Sequence, residues 1–375
     1  MSKLDELLQG VDVEWKRLDT IYKFQYGKGN TIPKKGGLYP VYGSNGIVGT
    51  HSEYNSEDSP VIGHIGAYAG IVNWGSGKHF VTYNGIICKL IDESVNPKFA
   101  YYFLLNQNFN SIAKSASHPF ISYEALNKVL CPIPCPDNPE KSLEIQQEIV
   151  RVLDELTSLT NQLTTELETE RQNRKKQFEF FREQMFRFEE GENNYVALGE
   201  LAENLDSKRK PITSSQRKPG KIPYYGASGI VDYVEDYIFD GDYLLVSEDG
   251  ANLLARSTPI AFSISGKNWV NNHAHILKFE TKYERLFVEY YLNSIDLAPY
   301  ITGAAQPKLN KKNLNSIKIP NPALEEKERI VKLLDQLDAT HTAIEEEITK
   351  EIKLRTQQYE YYREKLLSFP SLRTT

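Results

Sequence analysis

Three short constellations in this chain contain residue types that do chemistry, and each can be held against the spacing its chemistry demands. Gly75-Ser-Gly-Lys78 is built like part of a phosphate loop. Position 72 is Val where the first glycine belongs, and His79 follows the lysine. The glycine spacing and the magnesium-binding hydroxyl are therefore both missing. His273-Ala-His275 sets two imidazoles on one strand face, but no carboxylate or cysteine cluster joins them at a metal-binding interval. Cys131 and Cys135 bracket Pro-Ile-Pro, with no second Cys or His pair at zinc spacing. No Asn/Asp-Pro-Pro-Tyr/Phe tetrapeptide for adenine-N6 methylation occurs, and no Gly-x-Ser-x-Gly elbow. The expectation is a chain with no catalytic residue and no metal site of its own.

Residues suited to binding are more numerous. The net charge is −6, with 44 basic residues against 50 acidic ones, yet the basic residues are gathered. Lys16, Arg17, Lys23, Lys28, Lys34 and Lys35 face only Asp19 in their stretch. Lys208, Arg209, Lys210, Arg217, Lys218 and Lys221 face only Asp206. Lys308, Lys311 and Lys312 mark a polar segment near the end, where the first half has Lys114 and His118. Lysine and arginine suit phosphate, while Asn45, Ser228 and Asn252 offer groups that can read base edges. The acids lie elsewhere, in 140–170 and 325–351. Two local basic patches on an acidic chain point to duplex DNA as the ligand.

These patches recur because the sequence is written twice. Pro40-Val-Tyr-Gly-Ser-Asn-Gly-Ile-Val48 returns as Pro223-Tyr-Tyr-Gly-Ala-Ser-Gly-Ile-Val231, 183 residues later. At an offset of 188, Phe99 meets Phe287, Tyr102 meets Tyr290 and Pro119 meets Pro307. A third block repeats without a gap at 181, from Ile149-Val-Arg-Val-Leu-Asp154 to Gln177-Phe-Glu-Phe-Phe-Arg-Glu183. Variable regions of about 140 residues thus alternate with faithful ones of about 45, and insertions fall only in the former.

The faithful block predicts a helix. Residues 144–188 hold no Pro or Gly. Leucines and aromatics recur by threes and fours at Leu153, Leu156, Leu163, Leu167, Phe181 and Phe188. About 40 helical residues would span roughly 60 Å, and such a helix needs a partner, for which its own copy is the candidate. Glu170 and Arg174 in one copy, and Glu351 and Arg355 in the other, lie mid-seam. An antiparallel register with position numbers summing to 525 would set Glu170 against Arg355 and Arg174 against Glu351. The variable regions read as strand-rich, with runs such as Ser59-Pro-Val-Ile-Gly63 and Tyr243-Leu-Leu-Val-Ser247 and helices over 97–106 and 283–293.

Length, at 375 residues, predicts more than one domain. No run of 18 apolar residues predicts a membrane span. The acidic opening MSKLDELLQG is unlike a secretory signal, and three cysteines suit a reducing compartment, so the expected location is the cytoplasm.

Together, Trp15-Lys-Arg-Leu18, the duplicated Tyr-Gly turn, Asn271-Asn-His-Ala-His-Ile-Leu277 and Gln358-Tyr-Glu-Tyr-Tyr-Arg-Glu-Lys-Leu-Leu367 give the chain its resemblance. Over essentially its whole length it resembles the specificity subunits of type I restriction–modification enzymes. The resemblance implies an α+β chain with two α/β target-recognition domains, strand-rich, separated by two long antiparallel coiled-coil helices. The expected division is domain 1 over 1–143, helix 1 over 144–190, domain 2 over 191–324 and helix 2 over 325–375. It also implies a bipartite DNA target, two methyltransferase subunits docked on the helices, and motor/nuclease subunits that can join. S-adenosylmethionine, ATP and magnesium would belong to those partners, leaving no cofactor here. The competing reading is a duplicated coiled-coil adaptor whose end domains bind protein, against which the basic patches weigh.

Overall fold

The computed structural model describes residues 10–29, 32, 36–113, 119–188, 195–303 and 306–369. Four helices of eight or more residues stand among the described residues: α1 (Pro97–Asn106), α2 (Pro139–Gln184), α3 (Lys282–Ser294) and α4 (Leu324–Leu366). Asn96 caps α1 by accepting from the Lys98 and Phe99 amides, and Thr281 caps α3 through the Glu284 amide. α2 begins five residues ahead of the expected 144. The Asn138 carboxamide accepts from the Lys141 amide and Pro139 takes the first helical position, where a missing N–H costs nothing.

The chain forms two compact units, residues 1–167 with 350–375 and residues 168–349. Each holds the beginning of one long helix and the end of the other.

The first unit contains β1 (Val13–Arg17), β2 (Tyr22–Tyr26), β3 (Tyr39–Gly43), β4 (Gly46–His51), β5 (Ser56–Gly63), β6 (Val72–Val81), β7 (Gly85–Leu90) and β8 (Leu130–Pro134). Six of them make one sheet in the order β2-β7-β5-β6-β3-β4, while β1 pairs with β8. β3 and β6 run parallel, with Val41 beside Phe80. The core packs Ile21, Ile86, Phe99 and Leu104 against Ile145, Ile149 and Leu153 of α2, and Leu367 just beyond α4 joins it. Tyr102 locks α1 to α2 by donating to Asp154 at 2.5 Å.

The second unit follows the same plan with one break. Its strands are β9 (Tyr195–Ala197), β10 (Glu203–Asn204), β11 (Pro219–Gly226), β12 (Gly229–Val234), β13 (Phe239–Asp240), β14 (Tyr243–Ser247), β15 (Ala261–Ile264), β16 (Lys267–Val270), β17 (Ala274–Lys278) and β18 (Lys318–Pro320). β13 and β14 stand where β5 is continuous, and β15 and β16 where β6 is. The sheet accordingly divides into β10-β17-β14-β15 and β12-β11-β16-β13. Gly241 and Gly266 turn the two corners at φ +146° and +73°, angles an L side chain resists. The parallel pair recurs between β11 and β16, with Tyr224 beside Trp269. Phe287, Val288 and Leu292 pack on Ile330, Val331 and Leu334 of α4 and on Phe186 beyond α2. Tyr290 donates to Asp335 at 2.7 Å, the counterpart of the Tyr102 lock.

The long helices pair antiparallel, but not in the expected register. In the second unit Arg171 lies 3.3 Å from Glu345 and donates to Thr349 at 2.7 Å, and Phe178 stacks on His341 at 4.4 Å. In the first unit Thr157 donates to Tyr359 at 3.1 Å. These positions sum to 516–520 rather than 525. Arg174 binds Glu170 and Gln177 on its own helix, and Arg355 binds Glu351 and Gln358 on its own. All four register residues are thus paired within their helices. Phe181 and Tyr362, read as seam positions, are 41% and 40% exposed. The cause is helical drift. A straight α-helix turns roughly 20° per heptad away from a strict seven-residue repeat. Four heptads after Leu153 that amounts to about 80°, enough to carry Phe181 outwards and bring Arg171 and Phe178 to the facing side.

Candidate nucleic-acid interface

In each unit the duplicated turn and several neighbouring segments converge at one end of the sheet. In the first, Ser44 and Asn45 connect β3 to β4, and Gly46 takes φ +79°. The turn rests on the end of β5, where a Cβ on Gly63 would meet the Ser44 carbonyl at 2.5 Å. The His64 amide donates to the Asn84 carbonyl and the Ile121 amide to the His64 carbonyl. Ile65 bridges Phe120. The Lys28 amide donates to the Val81 carbonyl, and that of Tyr83 to Gly29. This rim is aromatic. Tyr26 stacks on Tyr123 at 4.2 Å and lies 4.3 Å from His64, with Tyr83 5.2 Å from His64. Tyr68, Tyr83 and Phe120 are exposed.

The second unit builds the same rim from different residues. Ala227 and Ser228 form the turn between Gly226 and Gly229. Ser247 fastens it by donating to the Ala227 carbonyl at 2.5 Å. The Glu248 amide donates to His273, the Leu309 amide to Glu248, and Asp249 bridges Lys308. In place of stacked rings there is a charge network. Arg209 gives one nitrogen to Glu248 at 2.6 Å and another lies 3.4 Å from Asp206. His275 Nδ1 lies 2.5 Å from Asp206 and its Nε2 2.7 Å from the Leu309 carbonyl. Lys308 reaches Glu248 at 3.1 Å. Burial pushes Asp206 up, but the His275 hydrogen bond and charge, the Ile276 amide and Arg209 hold it below the ordinary carboxylate value. Burial also opposes Glu248 ionisation, and Arg209, His275 and Lys308 together overcome it.

Lys28, Asn45, Lys208, Lys210, Lys221, Ser228, Lys311 and Lys312 are exposed, available to a ligand. Lys34, Lys35, Lys114 and His118 lie outside the described residues. Three expected contacts are committed to the protein instead. Arg209 is 12% exposed within the network. Arg217 donates to Asp232 at 3.1 Å and to the Ile212 carbonyl, and covers the Tyr224 ring at 4.4 Å. Asn252 closes a loop by accepting from Thr258 and Ser257. Lys218 is exposed, 3.7 Å from Glu235. Glu248 and Asp232, which take the hydrogen bonds of Arg209 and Arg217, lie 39 and 15 positions away, so only folding pairs them.

The histidines part company. His273 turns outward to Asp249 at 2.9 Å, while His275 is buried. Asp206, Glu248 and His275 do offer ligand atoms within 4.8 Å of one another. Arg209 and Lys308 already hold those carboxylates. Gly75-Ser-Gly-Lys78 lies inside β6, so no helix N-terminus follows the lysine. Sequence reasoning passed over Tyr26, His64, Tyr83 and Phe120. The one available signal was the offset of 188, which aligns Phe120 with Lys308.

A duplicated α+β chain whose two units present the same rim and differ in the residues filling it is the architecture of a two-part recognition protein. The sequence matches the type I restriction modification DNA specificity domain twice, over residues 10–170 and 190–354. A type I restriction enzyme specificity subunit of Escherichia coli is 32% identical across 100% of this chain and 98% of that protein. A putative one from Haemophilus influenzae is 40% identical over 49% of this chain and 48% of its own. Among solved structures, one described for complex assembly and conformational transition of the type I R-M system has TM-score 0.72 at 14% identity, covering 95% of this chain and 97% of that one. The HsdS subunit from Thermoanaerobacter tengcongensis has TM-score 0.55 at 15% identity, over 95% and 96%. The chain belongs to the type I restriction–modification DNA specificity family. It is a non-catalytic DNA specificity subunit. Among the described residues no helix is long and apolar enough to cross a membrane.

Proposed function

We propose that each rim reads one half of a split duplex target, and that the long helices carry two methyltransferase subunits, with motor/nuclease subunits able to join. The observation that carries this reading is the recurrence of one backbone rim with two different fillings, rings in one unit and charges in the other. A shared frame with divergent tips is what two readers of unlike half-targets require. Lys28 and Asn45 would contact DNA in the first unit, with Lys34, Lys35, Lys114 and His118. Lys208, Lys210, Lys218, Lys221, Ser228, Lys308, Lys311 and Lys312 would do so in the second. Phe180 with Phe181, and Tyr361 with Tyr362, are exposed aromatic pairs repeated at one offset. Such pairs are suited to anchoring a partner on each helix. S-adenosylmethionine, ATP and magnesium are assigned to the partners.

Exchanging residues 16–134 for the equivalent region of another specificity subunit tests the division of labour. Targets selected from random duplexes by the assembled complex should change in one half and keep the other. Recovery of the original full target, or a change in both halves, would overturn the reading.

A further inference from the structure

We propose that the buried Asp206–His275–Glu248–Arg209 network is a positioning device that holds Lys308 ready for a DNA phosphate. The inference rests on the rim's being the reading surface and adds how one contact is set. The two oxygens of Glu248 are divided, one taking Arg209 at 2.6 Å and the other Lys308 at 3.1 Å. Glu248 cannot swing away, because Arg209 is itself held by the Ala274 and Asp206 carbonyls. The backbone around Lys308 is pinned from both sides. Its amide and carbonyl bond Thr302, each at 2.8 Å, and the next residue, Leu309, gives its amide to Glu248 and its carbonyl to His275. The interior members are closed off, with side-chain exposures of 1% for His275, 7% for Asp206 and 12% for Glu248, while Lys308 keeps 52%. A fixed interior thus ends in one accessible ammonium.

Charge sign makes the arrangement informative. Glu248 stands beside a surface that meets a polyanion, where an isolated acid weakens binding. Its presence is favourable if it spares Lys308 the rotamer freedom a free lysine loses on binding. Strand register and bridges place Ile86, His64 and Phe120 of the first unit where His275, Glu248 and Lys308 stand. The first unit offers a ring at that point, and the second a pre-set cation.

The test uses the full chain assembled with its methyltransferase subunits, on a duplex carrying the target selected from random sequence. Lys308→Gln should lower the slope of log affinity against log salt by about 0.9, one phosphate's share. Glu248→Gln removes a negative charge, yet should weaken binding roughly three- to tenfold. It should have no further effect in a Lys308→Gln background. Lys308→Arg, still able to reach Glu248, should keep the full slope. Retained selectivity for the other half-target shows that Glu248→Gln leaves the subunit assembled. Equal or tighter binding by Glu248→Gln, with Lys308→Gln impaired, would overturn the positioning role alone. Unchanged affinity and slope in Lys308→Gln and in Lys311→Gln with Lys312→Gln would instead overturn the rim as the reading surface.

Discussion

Where the second unit buries two carboxylates, an imidazole and a guanidinium, the first stacks Tyr26 on Tyr123 and sets His64 against both Tyr26 and Tyr83. Both solutions fill the same corner between the strand ends and the segments that carry Phe120 and Lys308. They differ in how failure would appear. Stacked rings lose contact area gradually, whereas a charge network left one member short holds an uncompensated ion in a poorly solvated place. Identical topology therefore does not imply identical tolerance to substitution.

The sharpest way to break this comparison is to delete one partner on each side. Arg209→Met should cost about 3–5 kcal/mol, because Asp206 and Glu248 lose their shared cation. Tyr26→Ala should cost about 2 kcal/mol from lost ring contacts and partial burial. Hydrogen exchange locates each effect, in β14 and β17 for the first variant and in β5 and β7 for the second. Equal losses in the two variants would mean that the network is no more brittle than the stack.

An intermediate effect is expected from acid. Asp206 and Glu248 sit below their ordinary values, so their stabilisation is present above about pH 4 and is lost as pH falls through the folded-state values. Glu289 and Asp338, also in the second unit, are raised by burial and act in the opposite sense. Their penalty fades as they take up protons, which happens at higher pH than for Asp206 and Glu248, because Glu289 and Asp338 are shifted up and the other two down. Exchange protection of β14 and β17 should rise slightly as pH first falls and then drop steeply below about pH 4, where Asp206 and Glu248 take up protons. A monotonic decline from pH 7 would contradict the assignment.

The smallest effect belongs where the units are alike. Arg174→Leu with Arg355→Leu removes two exposed pairs between positions four apart, and should cost less than about 1 kcal/mol in total. The spacing between selected half-targets should stay the same, since neither guanidinium crosses the seam. A changed spacing would restore a register role to these residues.

Much of this was legible beforehand, for reasons that differ by level. The Tyr-Gly segment was readable as a turn because glycines bracket two small residues in both copies. α1 and α3 were readable from apolar spacing bounded by cap residues. The seam was legible up to Leu167 and misleading at Phe181, because a seven-residue count drifts by about 20° per heptad around an α-helix. Rim chemistry was the least legible. Arg209 looked like a phosphate ligand because Glu248 is 39 positions away, and a burying acid at that distance leaves no local trace. Charge counted along a sequence marks a neighbourhood but not which members of it remain free.

Leu367, which plugs the core of the first unit, is the copy of Phe186, which plugs that of the second. Each core is thus sealed by the far end of a helix that begins in the other unit. A protein holding a single copy of the repeat would leave its core unsealed, and a second identical chain would offer the missing end reciprocally. Such a pair is closed and self-complementary, and it can read only two identical half-sites. Joining both copies in one polypeptide keeps every seal and releases the two rims from identity. An aromatic rim and a charged rim in the same molecule are the freedom that covalent fusion confers.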